Sequence, residues 1–262
     1  MTTLVYPQLA TGALSQFPVR KKRRARTVIN RSADGSTVKL ADPACEVTEW
    51  NLTYADLSDQ EAATLQSFFA AAEGSLNGFT ILDPAGNLLA WSEQLDNEVW
   101  QTDPLLNLTA AVADPRGGAR AWRIGNRGGA GQSIAQTVAA PGSCQYCLTA
   151  YLRADTATGV RMWIGASSRS QNVPTAWSRL VVPSMQDEEV TSIQCGIEVA
   201  ALGTVEVYGV QLEAQPGSSG YKATSRGGVY ENAHLRDDVL AITKTGVNRH
   251  SCTVNIIHAN HL

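Results

Sequence analysis

The chain has 262 residues, 44% of them apolar and 17% charged, and a formal net charge of −3. That length admits one large domain or two ordinary ones, and the near-neutral charge gives no global drive toward nucleic acid or anionic membrane. No apolar run approaches the roughly 20 residues of a membrane-spanning helix, so no membrane partner is expected. The 22 glycines and 10 prolines suit a turn-rich β protein, and five cysteines, an odd count, argue against a disulfide framework. Residues 1–10 lack a basic region followed by an apolar run, so no secretory signal is read and production in the cytoplasm is expected.

The first marked feature in chain order is a cationic run, Arg20, Lys21, Lys22, Arg23, Arg24 and Arg26, leading into the strand-like Thr27, Val28 and Ile29. One reading is a solvated edge strand whose charges deter uncontrolled pairing. Another is a subunit seam, in which Lys22, Arg24 and Arg26 on one face meet Asp56, Asp59 and Glu61 of a neighbour. A nucleic-acid arm would need aromatic interleaving or a terminal position, so no specific nucleic-acid contact is expected. Residues 47–54 alternate, with Thr48, Trp50, Leu52 and Tyr54 opposing Val47, Glu49, Asn51 and Thr53: a half-buried strand, aromatic side inward. Ser58 and Glu61 form a capping box. Ala62, Leu65, Phe68, Phe69 and Ala72 follow at helical spacing, and Gly74 stops the helix. Residues 78–82 read as another strand, closed by the turn Asp83, Pro84, Ala85, Gly86 and Asn87.

Residues 96–229 hold no convincing helix. Candidate strands at 121–124, 134–138, 144–153, 160–166, 177–183, 193–199 and 204–211 are separated by Gly, Pro, Asn and Ser clusters, the pattern of a β-sandwich. Residues 238–243 and 251–257 read as two strands around a turn at 245–248. Two strands alone are marginal, so residues 230–262 are expected to rejoin the sheet of the first segment, making the sandwich an insertion. The expected fold is mainly β: a small, split-barrel-like α+β outer domain with one helix (residues 1–95 plus 230–262) and an inserted, jelly-roll-like antiparallel β-sandwich (residues 96–229).

No catalytic set stands out. Cys144 and Cys147 sit in a strand pattern rather than at a helix N-terminus, where a redox pair would have its thiolate stabilised. A second Cys/His pair at zinc spacing is missing, and Cys45, Cys195 and Cys252 are isolated, so buried structural thiols are expected. His234, His250, His258 and His261 cluster in the tail; His258 and His261 have chelating spacing, but solvated histidines are the plainer reading. Ser251 and its neighbour His250 point to opposite strand faces, which rules out a nucleophile–base pair. Asp187, Glu188 and Glu189 read as a loop and Asp237 and Asp238 as a strand start, neither being the cleft pair of a glycosidase. The glycine stretches at 116–118 and 127–131 lack the Lys-Ser/Thr of a phosphate loop. No enzyme activity, metal or cofactor is expected.

One candidate binding face remains. Arg161 and Trp163 share one side of a strand and Met162 and Ile164 the other. If the second pair faces the core, Trp163 with Arg161 is turned outward, where an indole could stack on a pyranose. Gln171 and Asn172, in the loop before Pro174, would add polar contacts. Packing is the competing role for Trp163, and Trp177, at a strand start, could equally be core.

Two resemblances organise these readings. The strand around Trp50, the helix opened by Leu57, Ser58 and Glu61 with Phe68 and Phe69, and the stretch Phe79, Asp83 and Pro84 resemble distal tail and minor tail proteins of long-tailed bacteriophages. Gln211, Leu212 and Glu213, followed by Gly220, Tyr221, Lys222, Ala223 and Thr224, resemble the ending of carbohydrate-binding-module-like sandwiches of phage tail and surface proteins. The resemblance implies a structural virion protein of the tail tip, forming a ring, usually a homohexamer, between the tail tube protein and tail hub or baseplate proteins. Edge-to-edge sheet contacts would close the ring, with the sandwich projecting toward host-surface carbohydrate. The alternatives are a stand-alone carbohydrate-binding or adhesin protein and, further off, a glycan hydrolase.

Overall fold

The computed structural model describes residues 4–185 and 190–259. Its first strands, β1 (Val19–Arg31) and β2 (Thr37–Leu57), form a long antiparallel hairpin. Ser32 N–H donates to Ser36 O across the tip at 2.9 Å, and Gly35 supplies the left-handed turn residue at φ +85°. Helix α1 (Asp59–Ala72) and β3 (Phe79–Leu82) follow. The middle of the chain gives β4 (Gln101–Thr102), β5 (Leu106–Val112), β6 (Ala121–Asn126), β7 (Gln132–Val138), β8 (Gln145–Arg153) and β9 (Thr158–Ile164). It continues through β10 (Ser167–Val173), β11 (Ser178–Met185), β12 (Ile193–Val199) and β13 (Thr204–Glu213). The last strands are β14 (Val229–Leu235), β15 (Ile242–Gly246) and β16 (Arg249–Ala259).

These elements divide into two compact units: described residues 4–10, 14–81 and 230–259 form the first, and those of 11–13 and 82–229 the second. In the first, one sheet runs β1-β2-β16-β14-β3, with β15 also paired to β16. Alternation in β2 sends Thr48, Trp50, Leu52 and Tyr54 into the core. Trp50 meets Tyr230 edge-on at 4.7 Å between ring centres, and the Lys21 amine lies over both rings. Helix α1 begins with the expected capping box: Ser58 Oγ accepts from Glu61 N–H at 3.2 Å, and Ser58 N–H donates to Glu61 Oε2 at 2.9 Å. It buries Ala62, Leu65, Phe68 and Ala72, leaves Phe69 half-buried, and ends in the left-handed residues Glu73 and Gly74. The β3 edge is lined by the N-terminal segment, with Tyr6 N–H donating to Thr80 O (2.9 Å) and Thr80 N–H to Leu4 O (2.8 Å).

The hairpin is longer than its sequence suggests. No side chain of β1, and none from Thr37 to Glu46 of β2, is buried, so the outer half stands clear of any core. Without an inward face there is no alternation to read. β1 is an edge strand carrying its cations into solvent. A register shift between Arg24 and Arg26 breaks the single face expected for Lys22, Arg24 and Arg26.

The second unit holds two five-stranded antiparallel sheets. The front sheet runs β10-β9-β12-β7-β4 and the back sheet β11-β8-β13-β6-β5. Val160, Met162 and Ile164 of β9 and Cys195, Ile197 and Val199 of β12 bury one face of the front sheet. Leu148, Ala150 and Leu152 of β8 and Val205 and Val207 of β13 do the same for the back sheet. This unit starts at Leu82 rather than near residue 95. The segment read as a turn is tied into it: Leu88 N–H donates to Leu212 O at 2.8 Å, and the fully buried Asn87 amide bonds Val210 O (3.0 Å) and Lys222 O (3.3 Å). Residues 238–241, expected in a strand, precede β15 instead, while β5, β10 and β14 were not foreseen. β10 is Ser-, Arg- and Asn-rich because it is an edge with little to bury.

Candidate functional site

The candidate glycan residues meet on the outer face of the front sheet. In β9, Met162 and Ile164 are fully buried, Arg161 is exposed and Trp163 half-buried, the alternation the pleat demands. Gly196 of β12 lies opposite Trp163. A Cβ built on Gly196 would come within 2.5 Å of the indole Cη2 and 2.6 Å of Ile134 O, so the six-membered ring sits against bare backbone. The Arg161 guanidinium sits 5.5 Å from the indole centre and pairs with Glu198 at 3.3 Å. Both side chains of that pair are well solvated, so the pair itself adds little stability and leaves its polar atoms open to a ligand. Beside them lies a trough of about 400 Å³ whose lining includes Arg161, Ser170, Gln171, Asn172, Glu198 and Ala200.

Asn172 belongs to β10, opposite Gly159, rather than to a loop, and shares the face of Arg161. Gln171, one residue earlier, pairs with the buried Val160 and still contributes to the lining of the trough. Gly196 and Glu198 were missed by the sequence reading. An isolated glycine inside a strand pattern is the signal that marks close approach of another group, here the indole.

The outer face of the back sheet is closed by contrast. Tyr208 and Tyr221 are buried there, with Tyr151 and Trp177 packed around them. Guanidinium groups cover these rings: Arg153 over Trp177 (4.8 Å), Arg179 over Tyr151 (5.3 Å) and Arg120 over Tyr208 (5.6 Å). The loop at 114–120 is fixed by the buried Asp114, which accepts from the backbone N–H groups of Arg116 (2.8 Å) and Gly118 (3.2 Å). Nearby, Glu206 is held between Arg123 and Arg153, accepting at 2.6 Å from Arg123 Nη2 and 2.7 Å from Arg153 Nε. Burial pushes its carboxyl up, but these hydrogen bonds outweigh it and hold the group below the usual carboxylate range. A depressed carboxyl stabilises the fold above its unfolded value and loses that contribution as pH falls through the folded one. Glu206→Gln is therefore expected to lose less thermal stability than the parent between about pH 6 and pH 3. Melting curves across that range test it, and parallel acid limbs would refute it.

The Gln211 and Glu213 motif proves architectural. Gln211 Oε1 accepts from Lys222 N–H at 2.8 Å, and Glu213 takes the Ser219 N–H at 2.9 Å and the Ser219 hydroxyl. Tyr221 OH and Ser92 Oγ share a bond of 3.0 Å. The motif thus ties the closing loop onto the last sandwich strand.

The other candidates disperse. Cys144, Cys147, Cys195 and Cys252 are buried and Cys45 half-buried. Burial pushes Cys144, Cys147 and Cys252 up to about 11 and Cys195 to about 12, far from thiolate reactivity. His250 Nε2 and Asp59 Oδ1 lie 2.6 Å apart, and His234 Nδ1 meets Ser75 O at 3.1 Å. His258 packs edge-on against Tyr230. Asp187, Glu188, Glu189 and His261 lie outside the described residues. Asp238 accepts from Ser75 N–H at 2.8 Å, and Asp237 from the Asn255 amide at 2.9 Å. Of the seam residues, Lys22 and Arg24 both reach Glu49, at 4.0 and 2.8 Å, and Arg26 reaches Asp42 at 3.7 Å, all within the chain. Asp56 pairs with Arg249 (3.9 Å) and Asp59 with Lys244 (3.8 Å), while Glu61 is occupied by the capping box.

No protein-family model and no curated protein sequence matches the chain, so the tail-protein resemblance has no family match behind it. Among solved structures, the chain is similar to the CBM22-1 and GH10 modules of Clostridium thermocellum endo-1,4-β-D-xylanase 10B complexed with xylohexaose. That match has 12% identity over 51% of this chain and 29% of the xylanase chain, with a TM-score of 0.42. TmCBM61, complexed with β-1,4-galactotriose, matches at 12% identity over 50% of this chain and 100% of that one, TM-score 0.40. The enzymatically active domain of bacteriophage CBA120 tailspike protein 4 matches at 16% identity over 51% of this chain and 22% of that one, TM-score 0.39.

Proposed function

We propose that this is a non-catalytic carbohydrate-binding protein, whose second unit holds a glycan on the outer face of the front sheet. The observation that carries this reading is the Trp163 indole laid on Gly196, with Arg161, Glu198 and Asn172 around an adjoining trough. An indole face suits the C–H face of a pyranose, and flanking guanidinium, carboxylate and carboxamide groups suit its hydroxyls. The back sheet offers no such face, since its aromatic rings are already covered by arginines. Calorimetric titration of the full chain with xylo-, galacto- and gluco-oligosaccharides tests the reading. Saturable heat with one series is expected; no heat with any, and no retention on the corresponding polysaccharides, would sink it.

The bare hairpin favours a second role beside the first. A two-stranded arm without a core is at best marginal in water, and its exposed edge invites a protein partner. In this reading the first unit is an assembly module of a phage tail tip, forming a virion ring that joins tail tube to hub or baseplate proteins. Negative-stain microscopy, with and without the tail tube protein, is expected to show closed annuli; only monomers in both conditions would count against it.

A further inference from the structure

We infer that the hairpin arm of one copy seats in a slot on the first unit of a second copy, an inference that rests on the self-assembly reading above. The donor surface is the outer half of the β1–β2 hairpin. Opposed residues share a face in an antiparallel pair, and Leu40 faces Val28 while Val38 faces Asn30, which groups Val28, Val38 and Leu40 on one side. Val38 is 50% exposed, Leu40 51% and, on the other side, Ile29 54%, with nothing of their own unit beneath them. Large aliphatic side chains gathered on an arm without a core mark an interaction surface.

The receiving surface is a slot of about 390 Å³ where β14 and β15 leave β16 uncovered between them. Phe69, Leu235, Val239, Leu240 and Cys252 give it an apolar lining, and Asp237 joins the wall. Charge favours this pairing. The outer half itself, residues 26–46, carries Arg26, Arg31 and Lys39 against Asp34, Asp42 and Glu46, and Arg26 is taken up by Asp42, which leaves Arg31 and Lys39 to a partner. Close in sequence to the slot lining, Lys244, Arg249 and Arg236 are taken up by Asp59, Asp56 and Glu49. Asp237 and Asp238 accept from the neutral Asn255 and Ser75 side chains. Among the described ion pairs, Arg31 and Lys39 of the arm meet no carboxylate.

The arm cannot fill the slot of its own chain. The slot touches β2 at Thr53 and Tyr54, whereas Val38 and Leu40 lie toward the other end of that same 21-residue strand. At about 3.3 Å per residue the separation is roughly 45–50 Å. Donor and receiver are therefore different surfaces of one subunit, and the contact is heterologous: it closes into a ring or runs on as a filament.

Two variants test this, both at exposed positions: an arm variant, Val38→Asp with Leu40→Asp, and a slot variant, Asp237→Arg with Val239→Arg. Each is first checked for an unchanged melting transition, then sized by light scattering alone and in an equimolar mixture. The wild type is expected to form multimers and each variant alone a monomer. The mixture is expected to give a heterodimer, because it retains one intact arm and one intact slot. Variants that multimerise like the wild type would overturn the slot while leaving self-assembly standing. A wild type that stays monomeric at every concentration would take down both. An arm variant that loses retention on heparin or DNA, with multimers unchanged, would assign the arm to a polyanion and overturn the inference.

Discussion

Replacing Asn87 by leucine is expected to destabilise the second unit by roughly 3–5 kcal/mol, since buried polar groups left without partners cost about 1–3 kcal/mol each. The Asn87 amide donates to Val210 O and Lys222 O at 3.0 and 3.3 Å. Its carbonyl accepts from Leu89 N–H at 3.1 Å and Leu212 N–H at 3.0 Å, and the residue is 0% exposed. Leucine has a similar volume but answers none of the four backbone groups. Asn87→Asp is a sharper control: it keeps the acceptor oxygen and removes the donors, placing a carboxylate against two carbonyls. Denaturant unfolding of the full chain, followed by tryptophan fluorescence, measures both. A loss below about 1 kcal/mol for the leucine variant would mean that water replaces the amide, and the account would fail.

The second large effect is on binding. Trp163→Ala is expected to weaken glycan affinity by roughly 30-fold or more, the loss typical of an aromatic at the centre of a contact surface. The melting transition should shift little, because the indole rests on the sheet's outer face and not in its core. Asn172→Ala should cost less, since it removes one polar contact at the trough's margin. Full affinity in the Trp163→Ala variant would move the site elsewhere. Trp177→Ala is the internal comparison: its ring packs under Arg153 on the closed face, so its removal should lower stability and leave affinity unchanged.

Legibility in the sequence followed burial. The alternation around Trp50, the capping box at Ser58 and Glu61, and the Arg161/Trp163 against Met162/Ile164 split were readable because each segment has one face in a core. Residues 37–46 and β10 were not, because chain with nothing to bury carries no periodic pattern. The start of the second unit was misplaced for a different reason. Asn87 has the composition of a turn residue, and only its distant partners at positions 210, 212 and 222 show that it is a buried tie. Asn172 was assigned to a loop on the same compositional ground. Glu198 could not be linked to Arg161, because cross-strand register is not written in either strand alone.

The indole resting on Gly196 has one more consequence. A platform already packed against the sheet would have less rotamer freedom to surrender when a sugar arrives. Its orientation is settled during folding, by the lack of a single methyl group at the position beneath it. Under the glycan-binding proposal, recognition there would be governed from below, by a residue that no sugar touches.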